Sequence, residues 1–148
     1  MHKTHVVLHH SATQDSGTVS WNAIRRYHLG LGWADIGYHL GCELVEDAAG
    51  EHHYEVFLGR ALDADGAHCY QGNMNRLALG VCFVGNFDLA HPPDEMLFYA
   101  AGCLAPIMRV LGIPADRAHV HPHSEFAPKT CPGTFFPLDA FIRMLRGA

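Results

Sequence analysis

The run Leu77-Ala78-Leu79-Gly80-Val81-Cys82-Phe83-Val84 contains no charged and no strongly polar side chain. It constrains the fold more than any other part of the chain. A strand with one wet face alternates apolar and polar residues, whereas an unbroken apolar run must be covered on both faces. His5 to His10 reads as a second buried strand, rich in β-branched residues and ending at the polar turn Ser11-Ala12-Thr13. Material has to lie on both sides of such strands. The expected fold class is therefore α/β, a central mixed sheet flanked by helices.

The intervening segments supply that material. Trp21 to Leu29 is expected to form a short helix with Thr18 or Ser20 as its cap. Tyr38 to Glu46 and Tyr54 to Leu58 read as a hairpin joined through Asp47-Ala48-Ala49-Gly50. Asp63 to Arg76, rich in Gly, Asn and Asp, is expected to be a loop. Asp94 to Leu111 carries Leu97, Ala101, Leu104, Met108 and Leu111 on one helical stripe. Pro106 should kink that helix, with Gly102 four residues earlier easing the clash, and Gly112 and Pro114 end it. Ala118 to His121 reads as a short strand and Leu138 to Leu145 as a closing helix. No repeat or linker interrupts the pattern, so residues 1–148 are expected to form one domain.

A formal charge of −5 argues against binding nucleic acid through general electrostatics. The apolar stretches are too short to span a bilayer, so no membrane insertion is expected. Met1-His2-Lys3-Thr4 leads straight into the first strand, which predicts a protein made in the cytoplasm without a signal peptide. The five cysteines lack CxxC spacing, and Cys82 and Cys103 lie within apolar runs, so reduced buried thiols are expected there.

Chemistry concentrates in His123-Ser124-Glu125-Phe126-Ala127-Pro128-Lys129-Thr130-Cys131-Pro132. An imidazole and a thiol stand eight residues apart, with a lysine two residues before the thiol. A second nitrogen donor is available far upstream, where His9 and His10 end the first strand. Strand alternation sends these two to opposite faces, so only one can join the site. Two histidines and one cysteine form a three-ligand zinc set whose fourth position stays open, as a catalytic site requires. With thirteen histidines in the chain, any single one is more often a surface or hydrogen-bonded residue. His2, His5, His52, His53, His91 and His119 are read that way.

Six segments in order carry a resemblance. They are His9-His10-Ser11-Ala12-Thr13, Gly32-Trp33-Ala34-Asp35-Ile36-Gly37-Tyr38-His39, Gly59-Arg60, Gly66-Ala67-His68-Cys69, Leu79 to Phe87, and Ala127-Pro128-Lys129-Thr130-Cys131-Pro132. The chain resembles the zinc-dependent N-acetylmuramoyl-L-alanine amidases of the type 2 class, which include short phage lysozymes and peptidoglycan recognition proteins. The resemblance implies one zinc ion held by His9, His123 and Cys131, with His9 preferred to His10. It implies Tyr38 and Lys129 as catalytic residues. His39 and His68 are weaker candidates for orienting a ligand or touching substrate. Cys131 favours an enzyme over a binding protein.

The implied activity is hydrolysis of the amide between N-acetylmuramic acid and the L-alanine of the stem peptide. The implied partner is bacterial peptidoglycan or a muropeptide; with no separate wall-binding domain, a monomer is expected to meet it in a groove walled by the Trp21–Leu29 helix and the Asp63–Arg76 loop. A phage or prophage endolysin, acting on the wall after release, is the leading reading. A cytosolic muropeptide-recycling amidase and a non-catalytic receptor are the alternatives. This chain departs from the family at Pro122-His123-Ser124-Glu125, at Ala78, and in a longer loop after His68.

Overall fold

The computed structural model describes residues 2–148. In chain order the elements are β1 (His5–His10), α1 (Ser20–Gly30), β2 (Leu40–Glu46), β3 (His52–Leu58), a 3-10 turn (Gln71–Asn73), α2 (Met74–Leu77), β4 (Ala78–Phe83), α3 (Asp94–Leu111), β5 (Val120–Pro122), a 3-10 turn (His123–Glu125) and α4 (Leu138–Gly147). The strands form one mixed sheet in the order β3-β2-β4-β1-β5. β4 pairs in parallel with both β1 and β2, β1 in parallel with β5, and β2 with β3 as an antiparallel hairpin. The unalternating run thus takes the middle of the sheet, and all six residues of β4 are buried.

Successive side chains on β1 and β4 serve opposite faces. Val6 and Leu8 join Leu79, Val81 and Phe83 against Leu97, Leu104 and Met108 of α3 and Phe141 of α4 in the main core. Each such side chain contributes about 1.5–3 kcal/mol by leaving water. The other face is built differently. It holds two small apolar clusters, one around Trp21, Ile36 and Cys82 and one around Val7, Cys69 and Met74. Between them lie the buried polar residues His9, His39, Glu43 and His68. Stability therefore comes mainly from the α3–α4 side, which leaves the α1 side free to carry polar chemistry.

Two glycines make that second face possible. A Cβ at Gly41 would sit 2.2 Å from the Trp21 ring, and one at Gly80 would sit 2.4 Å from the His68 ring. Both rings lie flat on the strands because these positions have no side chain.

Several boundaries differ from expectation. The hairpin pairs out to Glu46 and His52, because the turn closes directly beyond them. β2 begins at Leu40, so Tyr38 lies on the approach to the strand rather than in it. The Asp63–Arg76 segment contains the 3-10 turn and leads into α2; Gly72 and Asn73 adopt positive φ there, which hides a short helix from periodicity. α3 continues through Pro106 as one helix of 18 residues. Its end at Gly112, with φ of 70°, is as the sequence predicts. Among the described residues no helix is long and apolar enough to cross a membrane.

The start of α1 is the most informative difference. Neither Thr18 nor Ser20 provides a side-chain cap. Instead the Trp21 N–H donates to Glu43 Oε2 at 2.8 Å, so a carboxyl from β2 caps the helix across the interface. Glu43 is fully buried and its Oε1 has no hydrogen-bond partner. Burial pushes its pKa up from 4.5 to about 7. The folded protein thus keeps a proton that the unfolded chain releases, and stability falls as pH rises from about 4.5 through 7. Glu43→Gln keeps the acceptor and removes the charge. Melting curves against pH should show the variant matching the parent near pH 4.5 and exceeding it above pH 7. Parallel curves would show that Glu43 does not titrate in this window.

Candidate metal centre

The groove floor is formed where the parallel strands β1 and β4 end. His9 is the penultimate residue of β1 and lies beside Cys82 of β4, on the polar face. His123 opens the 3-10 turn that follows β5. That turn is anchored by Glu125, which accepts from His121 Nδ1 at 2.6 Å and pairs with Arg117. Cys131 lies on the next loop, and its carbonyl accepts from the Ser124 N–H at 2.8 Å. Three segments far apart in sequence therefore deliver two imidazoles and a thiol to one place. Their ligand atoms all lie within 4.8 Å of one another, and all three residues are buried. This group could hold a metal ion.

The protonation pattern suits that role. His9 Nδ1 faces Cys131 Sγ at 3.7 Å, while Nε2 meets His68 Nδ1 at 3.0 Å. A proton on His9 Nε2 satisfies the second contact and leaves Nδ1 with a free lone pair. His68 in turn directs its own Nε2 at the Ala78 carbonyl, 3.4 Å away. Such an outer partner sets the tautomer and ring orientation of a ligand imidazole. Burial, followed by the neighbouring His68, holds His9 well below the usual histidine range. Burial, with Lys129 nearby, lowers His123 to about 4. Burial pushes the Cys131 thiol up to about 11. At neutral pH the two imidazoles are thus uncharged and the sulfur protonated.

Of the remaining residues singled out by sequence, Tyr38, Lys129 and His68 line the cavity around this group and His39 does not. Tyr38 packs its ring 5.2 Å from that of His9, and burial raises its pKa well above the ordinary value, so the phenol stays a hydrogen-bond donor. Lys129 is exposed and lines the same cavity of about 540 Å³ as His9, His123 and Cys131. His68 lines it as well. His39 does not reach this cavity. It is fully buried behind His68, accepting from the Gly80 N–H at 2.9 Å and donating to the Ala64 carbonyl at 3.0 Å. It supports the wall instead of facing the groove. His10 is outside the three-residue group; its Nδ1 accepts from the Phe87 N–H at 3.1 Å and its Nε2 lies 3.9 Å from Asp88 Oδ2 at the rim of the same cavity.

Two side chains of the cavity escape a reading of the sequence. His28 of α1 accepts from the Gly37 N–H at 3.1 Å and stacks on Trp33, with ring centroids 4.5 Å apart. Asp88 lies beyond β4 at the cavity edge. His28 shows only as an end position on a helical stripe, and Asp88 has no motif around it. Two other cavities share lining residues with it. One of about 600 Å³ runs along α1 past Ile24 and Tyr27, and one of about 360 Å³ runs past Trp33 and Tyr70. The result is a groove with the His-His-Cys group at its centre.

This protonation pattern predicts the stoichiometry of exchange. Near pH 6, below the ionisation of a metal-bound water, metal binding should release about one proton per ion, from Cys131. Titration calorimetry in buffers of different ionisation enthalpy measures it. A release near zero or near two would contradict the assigned states.

Comparison with known proteins bears on this arrangement. The family model described as N-acetylmuramoyl-L-alanine amidase matches residues 2–134. The endolysin of Enterobacteria phage K11 is 30% identical over 137 residues, covering 92% of this chain and 83% of the relative. The endolysin of Escherichia phage T7 is 32% identical over 133 residues, covering 86% and 78%. Among solved structures, N-acetylmuramoyl-L-alanine amidase LysC from Clostridium intestinale URNW has the same fold, with a TM-score of 0.77 at 22% identity over 99% of this chain and 87% of that one.

Proposed function

This chain belongs to the N-acetylmuramoyl-L-alanine amidase family, and we propose that it is a zinc-dependent endolysin whose ion is held by His9, His123 and Cys131. It is a peptidoglycan amidase, and the bond it cleaves joins the lactyl group of N-acetylmuramic acid to the L-alanine that begins the stem peptide. The observation that carries the zinc reading is the convergence of those three buried side chains within 4.8 Å at the floor of an open groove. Two nitrogens and one sulfur suit zinc, and three protein ligands leave a position for water or substrate.

When bound, zinc supplies an activated water near neutral pH and a Lewis acid for the scissile carbonyl. The chain's own residues do the rest. His68 holds the His9 ring through the 3.0 Å bond to Nε2, so that Nδ1 faces the site. As the carbonyl carbon becomes tetrahedral, negative charge gathers on its oxygen. The Lys129 ammonium at the groove edge and the Tyr38 hydroxyl supply positive charge and a proton donor for it. Tyr38 keeps its proton because burial raises its pKa. Two further cavities that share lining residues with the centre, one along α1 and one past Tyr70, suit a substrate that continues as glycan and as peptide beyond the scissile bond.

Purified peptidoglycan incubated with the protein should release peptides bearing a free L-alanine amine, identified by mass spectrometry. A chelator should abolish the release and zinc restore it. In the same assay Lys129→Ala should retain zinc and lose about 10²-fold in turnover, the scale of one oxyanion-stabilising group. Wall binding without any release would make the protein a receptor. Efficient cleavage of soluble muropeptides with intact sacculi left untouched would replace the endolysin reading by a recycling one.

A further inference from the structure

We propose that Asp88 is a positioning residue for the zinc centre, gripping the loop that carries Cys131 from both sides of the sulfur; this rests on the zinc reading above. Of the three ligands, His9 is held by a strand and His123 by a 3-10 turn. Cys131 lies on irregular backbone outside helix and strand. Something other than regular structure has to place its sulfur.

The contacts identify that element. Asp88 Oδ2 accepts from the Thr130 hydroxyl at 2.6 Å. Its Oδ1 accepts from the Thr134 N–H at 2.8 Å and from the Thr134 hydroxyl at 3.0 Å. Thr130 immediately precedes Cys131 and Thr134 follows three residues later, so a single carboxylate brackets the ligand. Hydrogen bonds to an ionised acceptor are about twice as strong as neutral ones. The Thr130 bond, with those from Thr134, holds the Asp88 carboxyl below its usual range, so it stays charged at neutral pH.

The turn that carries Asp88 is itself tied to β1. Phe87 donates its N–H to His10 Nδ1 at 3.1 Å and accepts from the Phe135 N–H at 2.8 Å. The His10 N–H meets Cys131 Sγ at 3.4 Å. Gly133 packs so closely that a Cβ there would lie 2.5 Å from the Phe87 carbonyl carbon. His10, Phe87 and Asp88 thus form one rigid rim, and Asp88 is its side-chain grip on the Cys131 loop. A residue reading of β1 leaves His10 without a task; here it braces the support of the third ligand.

The test uses the purified chain with zinc alone as the probe, its affinity read by competition with a chromogenic chelator and its metal-free melting recorded in parallel. Thr130 is exposed, so substitution there leaves the core intact. Thr130→Val removes the hydroxyl and keeps both the shape and the Asp88 charge. It should lower zinc affinity about ten-fold, as should Asp88→Asn, while Thr130→Ser should bind like the parent. Metal-free melting should be unchanged in all three. Parental affinity in Thr130→Val would overturn the proposal. If Asp88→Asn alone were weak, the carboxylate would act only as a nearby charge. Weakened binding confined to variants whose metal-free melting also falls would mean general destabilisation, and would equally overturn it. A parent that binds no zinc would instead refute the zinc reading itself.

Discussion

Everything in this molecule depends on the parallel pairing of β1 with β4 at the centre of the sheet. The pair is buried on both faces, yet the two faces have opposite contents. On one, Val6, Leu8, Leu79, Val81 and Phe83 meet α3 and α4 in a continuous apolar core. On the other, His9 stands beside Cys82 at the carboxyl end of the strands, where ligand sites of open α/β sheets form. Alternation along six residues of β1 converts one strand into both a structural anchor and the floor of a groove.

The polar face pays for its chemistry in desolvation, and the arrangement keeps that cost small. His9, His39 and His68 are buried as neutral rings whose nitrogens find partners in each other, in the backbone or, for His9 Nδ1, in Cys131 Sγ. Burial lowers all three pKa values, so none of these rings carries a positive charge above mild acid. Cys131 behaves oppositely, since burial keeps its proton on. On the zinc reading, the sulfur would gain its charge as an ion replaced that proton. Glu43 is the exception on this face, a buried carboxyl with one oxygen unpartnered, and it serves the start of α1 rather than the groove.

Much of this is legible in the amino-acid sequence. The unalternating β4 run implied a covered central strand, and the hairpin, α3 and α4 followed from period and turn residues. Alternation at His9-His10 implied that only one ring joins the group with His123 and Cys131; His10 instead accepts from the Phe87 N–H at the cavity rim. What escaped depends on contacts between segments remote in sequence. Asp88 meets Thr130 across 42 residues, and Glu43 caps a helix that begins more than twenty residues earlier. His39 carried the right residue type but points its nitrogens at backbone groups behind the wall. Gly72 and Asn73 concealed a helix of four residues, too short for periodicity to reveal.

The central claim is that one zinc ion sits among His9, His123 and Cys131, and X-ray absorption at the zinc edge of the loaded protein addresses it most directly. The account predicts a first shell containing one sulfur at about 2.3 Å and nitrogen or oxygen neighbours at about 2.0–2.1 Å. It also predicts that the sulfur contribution vanishes in Cys131→Ser. A shell without sulfur, or one unchanged by that substitution, would contradict it.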